Sequence, residues 1–204
     1  MQSMKVKNSI LLFLCVLFIS SCGKSFDSQE EMTAFITDED NGYQYKKTVN
    51  GVDYTLQYRP TDLLVKQELS DKYTDKQVED LRKQYGKYIY FNLSMSKNNQ
   101  ELLNGLARDK ERFGQMVNDL AFGMEEKVHL FTPKKDTLAM ADFIYPRMYG
   151  MTDATTLMIV YPRDEKFMQE EYLNFTIEDL GLDTGEIKFK VKTSELKDEP
   201  QLRF

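Results

Sequence analysis

One histidine, His129, occurs in 204 residues. A Ser-His-Asp triad also needs an activated serine, and no Gly-x-Ser-x-Gly elbow is present. A zinc or other transition-metal site built on a single histidine would have to draw mostly on carboxylates, an unusual donor set. His129 lies in the strand-like run Lys127-Val128-His129-Leu130-Phe131, which points to a structural role. Carboxylates are abundant, 33 in all, and the pairs Glu170-Glu171 and Glu178-Asp179 sit nearest predicted strand ends. Glycoside hydrolysis would need two of them facing each other across roughly 5–9.5 Å. Sugars are usually held by stacking, and the chain has no tryptophan. Tyr43, Tyr45, Tyr54 and Tyr58 are the candidate platforms for a small solute or glycan. Gly23-Lys24-Ser25 mimics the end of a phosphate loop, but the motif's first glycine would fall at Phe18. Residues 38–42, Asp-Glu-Asp-Asn-Gly, fail the EF-hand pattern: the glycine comes one position early, and position twelve is Val49. They read as a solvated turn. No residue set calls for a cofactor or a metal.

The strongest motif is at the N-terminus. Lys5 and Lys7 precede an apolar run over residues 10–19. That run falls short of the roughly 20 residues a spanning helix needs and fits the core of a secretory signal. It ends in Ile19-Ser20-Ser21-Cys22, which resembles the lipobox of bacterial lipoproteins. The resemblance covers only the first 22 residues. It implies cleavage before Cys22, acylation of its thiol and attachment to a lipid bilayer. Gly23, where an aspartate would favour inner-membrane retention, points to the outer membrane. The run from Gly23 to Asp27 is a poor match to the acidic surface-export signal of Bacteroidota, so periplasmic and surface-facing placements both stay open. Asp136-Thr137-Leu138 resembles the acceptor triplet of Bacteroidota O-glycosylation, with Thr137 as the acceptor.

Cleavage would leave 183 residues, enough for one domain with a real core. Residues 1–21 carry two lysines and no acid, so the net charge would move from −6 to −8. That argues against nucleic acid as a partner, since phosphate binding needs clustered basic charge. Cys15 would leave with the signal and Cys22 would be acylated, so no thiol remains for a disulfide. Stability then falls to the core, which thirteen phenylalanines and twelve tyrosines can supply.

The domain divides as a signal over 1–21, a lipidated cysteine and tether over 22–42, and a globular unit over 43–204. Within the tether, Ser28-Gln29-Glu30-Glu31 reads as a capping box for a short helix bearing Met32, Phe35 and Ile36. Residues 43–58 form a hairpin around Asn50-Gly51, a preferred type I′ pair. Its register sets Val49 against Val52, Lys47 against Tyr54 and Tyr45 against Leu56. Thr74-Asp75-Lys76-Gln77 caps a helix over 75–85, with Gly86 placed for a left-handed stop. Alternation of Ile89, Phe91, Leu93 and Met95 marks a strand. Residues 99–124 are helical by spacing, broken near Gly105, restarted by Asp109 and stopped at Gly123. A hairpin joins 127–132 to 137–145, and 155–161 is a strand. Arg147 and Arg163 each follow a Tyr-Pro strand end, and in an antiparallel pair they would lie at opposite ends. Residues 173–177 and 187–191 form a last hairpin, with Lys188, Lys190 and Lys192 guarding its outer strand. Residues 195–204 read as a loose tail in which Leu202 and Phe204 could dock.

These elements imply an α+β domain built from hairpins on a mostly antiparallel sheet, with two or three helices on one face. The functional expectation is a non-enzymatic envelope lipoprotein with an unidentified protein partner and an assembly-accessory role. The alternatives are a solute- or glycan-binding module on the Tyr-rich hairpin and a carboxylate-dependent hydrolase.

Overall fold

The computed structural model describes residues 24–148 and 150–204. Ser25–Phe26 (β1) and Gln29–Thr37 (α1) open the described chain. Ser28 Oγ accepts from Glu31 N at 3.1 Å, and the Glu31 carboxylate reaches back to the amide of Asp27 rather than Ser28. Met32 and Ile36 are 0% and 2% exposed in the core. Residues 24–42, expected as a tether, are therefore part of the domain. The apolar stripe of α1 is what binds them to it.

Asn50 and Gly51, at φ 50° and 73°, join Gln44–Val49 (β2) to Val52–Arg59 (β3) in the expected register. Both turn residues need the left-handed region that asparagine and glycine tolerate best. Pro60 ends β3, and Thr61–Glu68 (α2) begins at once, an element with no stripe in the sequence to announce it. Asp75–Tyr85 (α3) carries both halves of the Thr74–Gln77 capping box. Gly86 is right-handed (φ −63°), not left-handed: the helix ends with its amide on the Arg82 carbonyl. Tyr88–Lys97 (β4) buries Ile89, Phe91, Leu93 and Met95 on one face.

The predicted helix over 99–124 is instead four pieces. A 3-10 turn at Leu102–Leu106 precedes Lys110–Asn118 (α4), capped by Asp109. A π-turn at Asp119–Gly123 then leads into Met124–Lys127 (α5), so Gly123 does not stop it. Leu120 and Met124 are both fully buried, and continuing the turn keeps both on the core.

Val128–Phe131 (β5) pairs with Thr137–Leu138 (β6) as expected. The return strand is split, however. Asp142–Ile144 (β7) leaves β5 and pairs with Thr155–Pro162 (β8). Glu165–Met168 (α6), Tyr172–Ile177 (β9), Ile187–Lys192 (β10), Thr193–Lys197 (α7) and Gln201–Leu202 (β11) complete the chain. The C-terminal tail is not loose. β11 pairs in parallel with β1, and Leu202 is 6% exposed.

The architecture is α+β with mostly antiparallel pairing, shared among three sheets. The order is β2-β3-β4-β8-β7 in one and β10-β9-β5-β6 in another, with β1-β11 apart. The inner faces of the two larger sheets meet through aromatic rings. Phe91 and Phe175 lie 5.4 Å apart between centroids, Tyr161 and Phe175 6.4 Å, and Tyr45 and Phe189 6.4 Å. Phe91 and Phe175, both fully buried, contribute about 1.5–3 kcal/mol each. On the far side of β4 and β8, Leu64 of α2 packs on Tyr90 and Val160, with Tyr85 of α3 beside them. β10 is an edge strand, and its exposed Lys188, Lys190 and Lys192 match the expected guard.

Candidate functional site

Polar side chains gather where the chain enters the fold. Lys24 Nζ donates to Tyr43 Oη at 2.6 Å and to Glu195 Oε2 at 2.8 Å, and lies 3.3 Å from Asp198 Oδ2. Burial works against its charge, but hydrogen bonds to Glu195 and Tyr43 outweigh that, and the ammonium pKa is raised. Tyr43 Oη donates in turn to the carbonyl of Asp198 at 2.9 Å. Burial pushes the Tyr43 phenol up to about 12, against the opposing pull of Lys24.

Beside this cluster, Glu199 accepts four hydrogen bonds: from Tyr58 Oη at 2.7 Å, Thr61 N at 2.8 Å, Thr61 Oγ1 at 3.1 Å and Arg163 Nη2 at 3.1 Å. Arg163 also donates to Tyr58 Oη at 2.9 Å and to the Leu196 carbonyl at 2.8 Å. Burial, then the charge of Glu199, holds the Tyr58 phenol far above its ordinary value. A third group joins Asp62, Arg82 and the backbone of Leu202. These acceptors are occupied by donors from distant parts of the chain. Chemically the arrangement is a latch that ties residues 195–203 and the chain entry onto β3, α2 and α3.

The sequence candidates fall out as follows. Tyr43, Tyr54 and Tyr58 are 0%, 1% and 1% exposed, so their rings cannot stack on a ligand. Tyr45 is half-buried against Phe189, and its hydroxyl donates to the Gly42 carbonyl at 2.7 Å. Tyr54 Oη is satisfied by Thr184 Oγ1 at 3.0 Å. The hairpin's aromatic face is core, because it is the face turned toward the second sheet. The ligand-stacking expectation is thereby corrected for Tyr43, Tyr54 and Tyr58, whereas Tyr45 stays partly exposed and lines a surface groove with Tyr172, Lys188 and Phe189.

Glu178 sits 3.2 Å from Lys127 and 3.4 Å from His129 Nε2, and the Lys127 hydrogen bond, with His129 next, holds its carboxyl below the ordinary value. Asp179 accepts the amides of Leu182 and Gly185, which caps a turn. Glu170 pairs with Lys134 at 2.9 Å. Thr137 is exposed on β6, next to an Asp136 paired with Lys166 and a Leu138 that is 7% exposed. β7 and β8 run antiparallel, so Arg147 and Arg163 lie at opposite ends, and only Arg163 joins the latch. Cys22 and the lipobox lie outside the described residues. Among the described residues no group of three or more His, Cys, Asp or Glu could hold a metal ion, and no helix is long and apolar enough to cross a membrane.

The latch is not legible in the sequence. Asp62, Arg82, Glu199 and Arg163 look like ordinary surface charges, and only the Tyr-Pro-Arg tripeptide drew attention to one of them. The molecule also exposes some large apolar side chains. Phe122 is 79% exposed, Met151 75% and Ile144 47%. Compared with family models, with curated proteins and with solved structures, the chain matches none.

Proposed function

We propose that this chain is a bacterial envelope lipoprotein, acylated on Cys22, whose domain makes protein contacts at the membrane surface in a non-enzymatic, assembly-accessory role. The lipobox at residues 19–22 supports the anchor, and Gly23 favours the outer membrane. The observation that supports the contact role is the exposure of Phe122 and Met151, at 79% and 75%, well above the next large apolar side chain among the described residues, Ile144 at 47%. Where such side chains share one apolar patch, that patch is the kind of surface a partner covers. Three of the four carboxylates offered for hydrolysis, Glu170, Glu178 and Asp179, are engaged in ion pairs or a turn cap, which weighs against the hydrolase alternative.

The test has two parts. Cells grown on labelled fatty acid should yield labelled protein in the membrane fraction. Affinity capture from those membranes should recover one stoichiometric envelope protein, and Phe122→Ser with Met151→Ser should lose it. An unlabelled, soluble protein removes the anchor. Labelled protein that captures no partner removes the contact role.

A further inference from the structure

The distance between Cys22 and the first pinned residue is limited by covalent geometry. Cys22 and Lys24 are two residues apart, a reach of about 7 Å at most. Lys24 is held on both its main chain and its side chain. Its carbonyl accepts from Gln201 N at 2.8 Å, and its ammonium is bonded to Tyr43 and Glu195. The next residues are fixed as well. β1 pairs with β11, Arg203 N donates to the Phe26 carbonyl at 2.9 Å, and the Phe26 ring lies 5.0 Å from that of Phe35. Lengthening the connection would mean peeling β1 from β11 and uncovering Phe26 and Leu202 together.

The headgroup layer of one leaflet is about 5–7 Å thick. An acylated cysteine at its base and a connection of about 7 Å place Lys24 no farther than the outer edge of that layer. We infer that the pole of the domain around Lys24, Tyr43, Glu195 and Asp198 rests against the lipid headgroups in one fixed orientation, an inference that depends on acylation of Cys22. The occupant of this surface is the bilayer to which the chain is bonded. The pole carries both signs in equal number, Asp27, Glu195 and Asp198 against Lys24, Lys197 and Arg203. Charge therefore gives it no affinity for anionic lipid, and the covalent anchor alone sets the placement.

The opposite pole is defined by the sheet. β3 runs eight residues from Val52 to Arg59, about 25 Å at strand spacing. Tyr58 and Arg59 lie beside the latch, while Val52 pairs with Lys97 at the other end. The exposed Asn50-Gly51 turn is at that distal end and faces away from the membrane.

The experiment uses the full-length acylated protein in vesicles of phosphatidylethanolamine and phosphatidylglycerol with a headgroup-level acceptor dye. Lys197→Cys and Lys97→Cys, both at exposed positions, supply single donor sites, because Cys22 is blocked by its lipid and Cys15 is removed. Transfer should be several-fold stronger from position 197 than from position 97. Inserting ten Gly/Ser residues between Gly23 and Lys24 should abolish the difference. Protease should then release the intact domain from the insertion variant but not from the native chain. Labelled-fatty-acid incorporation is measured on the same preparations. Protein without label and free of the vesicles sinks the lipoprotein reading itself. Acylated, vesicle-bound protein with equal transfer from both positions, or native protein released intact, overturns the orientation alone.

Discussion

At Asp62 a side chain 3% exposed accepts from Arg82 Nε at 2.7 Å, Arg82 Nη2 at 2.6 Å and Leu202 N at 2.8 Å. Arg82 keeps 39% of its side chain in water, and its pKa is held up chiefly by the hydrogen bond to Asp62. The bidentate pair fixes α3 against α2, and the Leu202 amide ties in the C-terminal strand. Replacing Asp62 by alanine strands a buried amide and half-buries an unpaired cation. Breaking a buried pair costs about 3–5 kcal/mol, and partial exposure of Arg82 lowers that toward about 2–4 kcal/mol. Urea denaturation of Asp62→Ala should show that loss, while Asp62→Asn should lose less, because its amide oxygen can still accept from Leu202 N. Equal stability of Asp62→Ala and the native chain would show that the latch does not hold the fold. Nothing in the sequence marks Asp62. It follows Pro60 and Thr61 at the start of an unannounced helix and reads as a surface acid until the partner 140 residues away is known.

Elements specified by neighbouring residues were legible, and elements specified by distant ones were not. The 43–58 hairpin needed only alternation and an Asn-Gly turn. The helix over 75–85 needed only its capping box. β1 and β11 are two residues each, too short to show a period, and Arg203 meets Asp27 across 176 residues. The split of 137–145 was equally hidden. Ala141 N donates to the Val160 carbonyl at 2.8 Å, so the chain changes sheets between Leu138 and Asp142, a step that depends on where the second sheet lies. The same distance explains why a segment that reads as a tether is structure from residue 24 onward. The latch gives this element a measurable weight. Deleting residues 199–204 removes Glu199 from Tyr58, Thr61 and Arg163, removes β11 from β1, and leaves Asp62 without Leu202. At about 1 kcal/mol net for each lost hydrogen bond, more where charge is buried, the deletion should cost at least about 4 kcal/mol. Thermal melts should show a variant largely unfolded, or with a sharply lowered midpoint. An unchanged midpoint would mean that the tail is bystander structure.

Taken whole, the molecule has no cysteine between residues 24 and 204, so packing and its buried polar groups must hold it together. Many of those groups are phenols. Burial raises Tyr43 and Tyr90 to about 12, carries Tyr161 higher still and lifts Tyr58 well above its ordinary value. In the unfolded chain each would ionise near 10. Below that value every phenol is protonated in both states, and the stability tied to them is complete. Above it the unfolded chain gives up protons that the folded chain retains, so the folded state binds more protons and stability falls as pH rises. The loss should run from about pH 10 to about pH 12 and beyond, following the folded-state values. Absorbance of tyrosinate and far-ultraviolet circular dichroism, followed together, separate the two populations. Exposed tyrosines should titrate smoothly with the circular dichroism unchanged. The core tyrosines should ionise later, in one cooperative step that coincides with loss of secondary structure. Substituting Tyr161 by phenylalanine keeps the ring's packing, loses only a 3.3 Å hydrogen bond to the Val128 carbonyl and removes one ionisable group, so it should move that step to higher pH. If all twelve tyrosines instead ionised in a single broad titration near 10 without loss of secondary structure, the aromatic interior shared by the two sheets would have to be open to water.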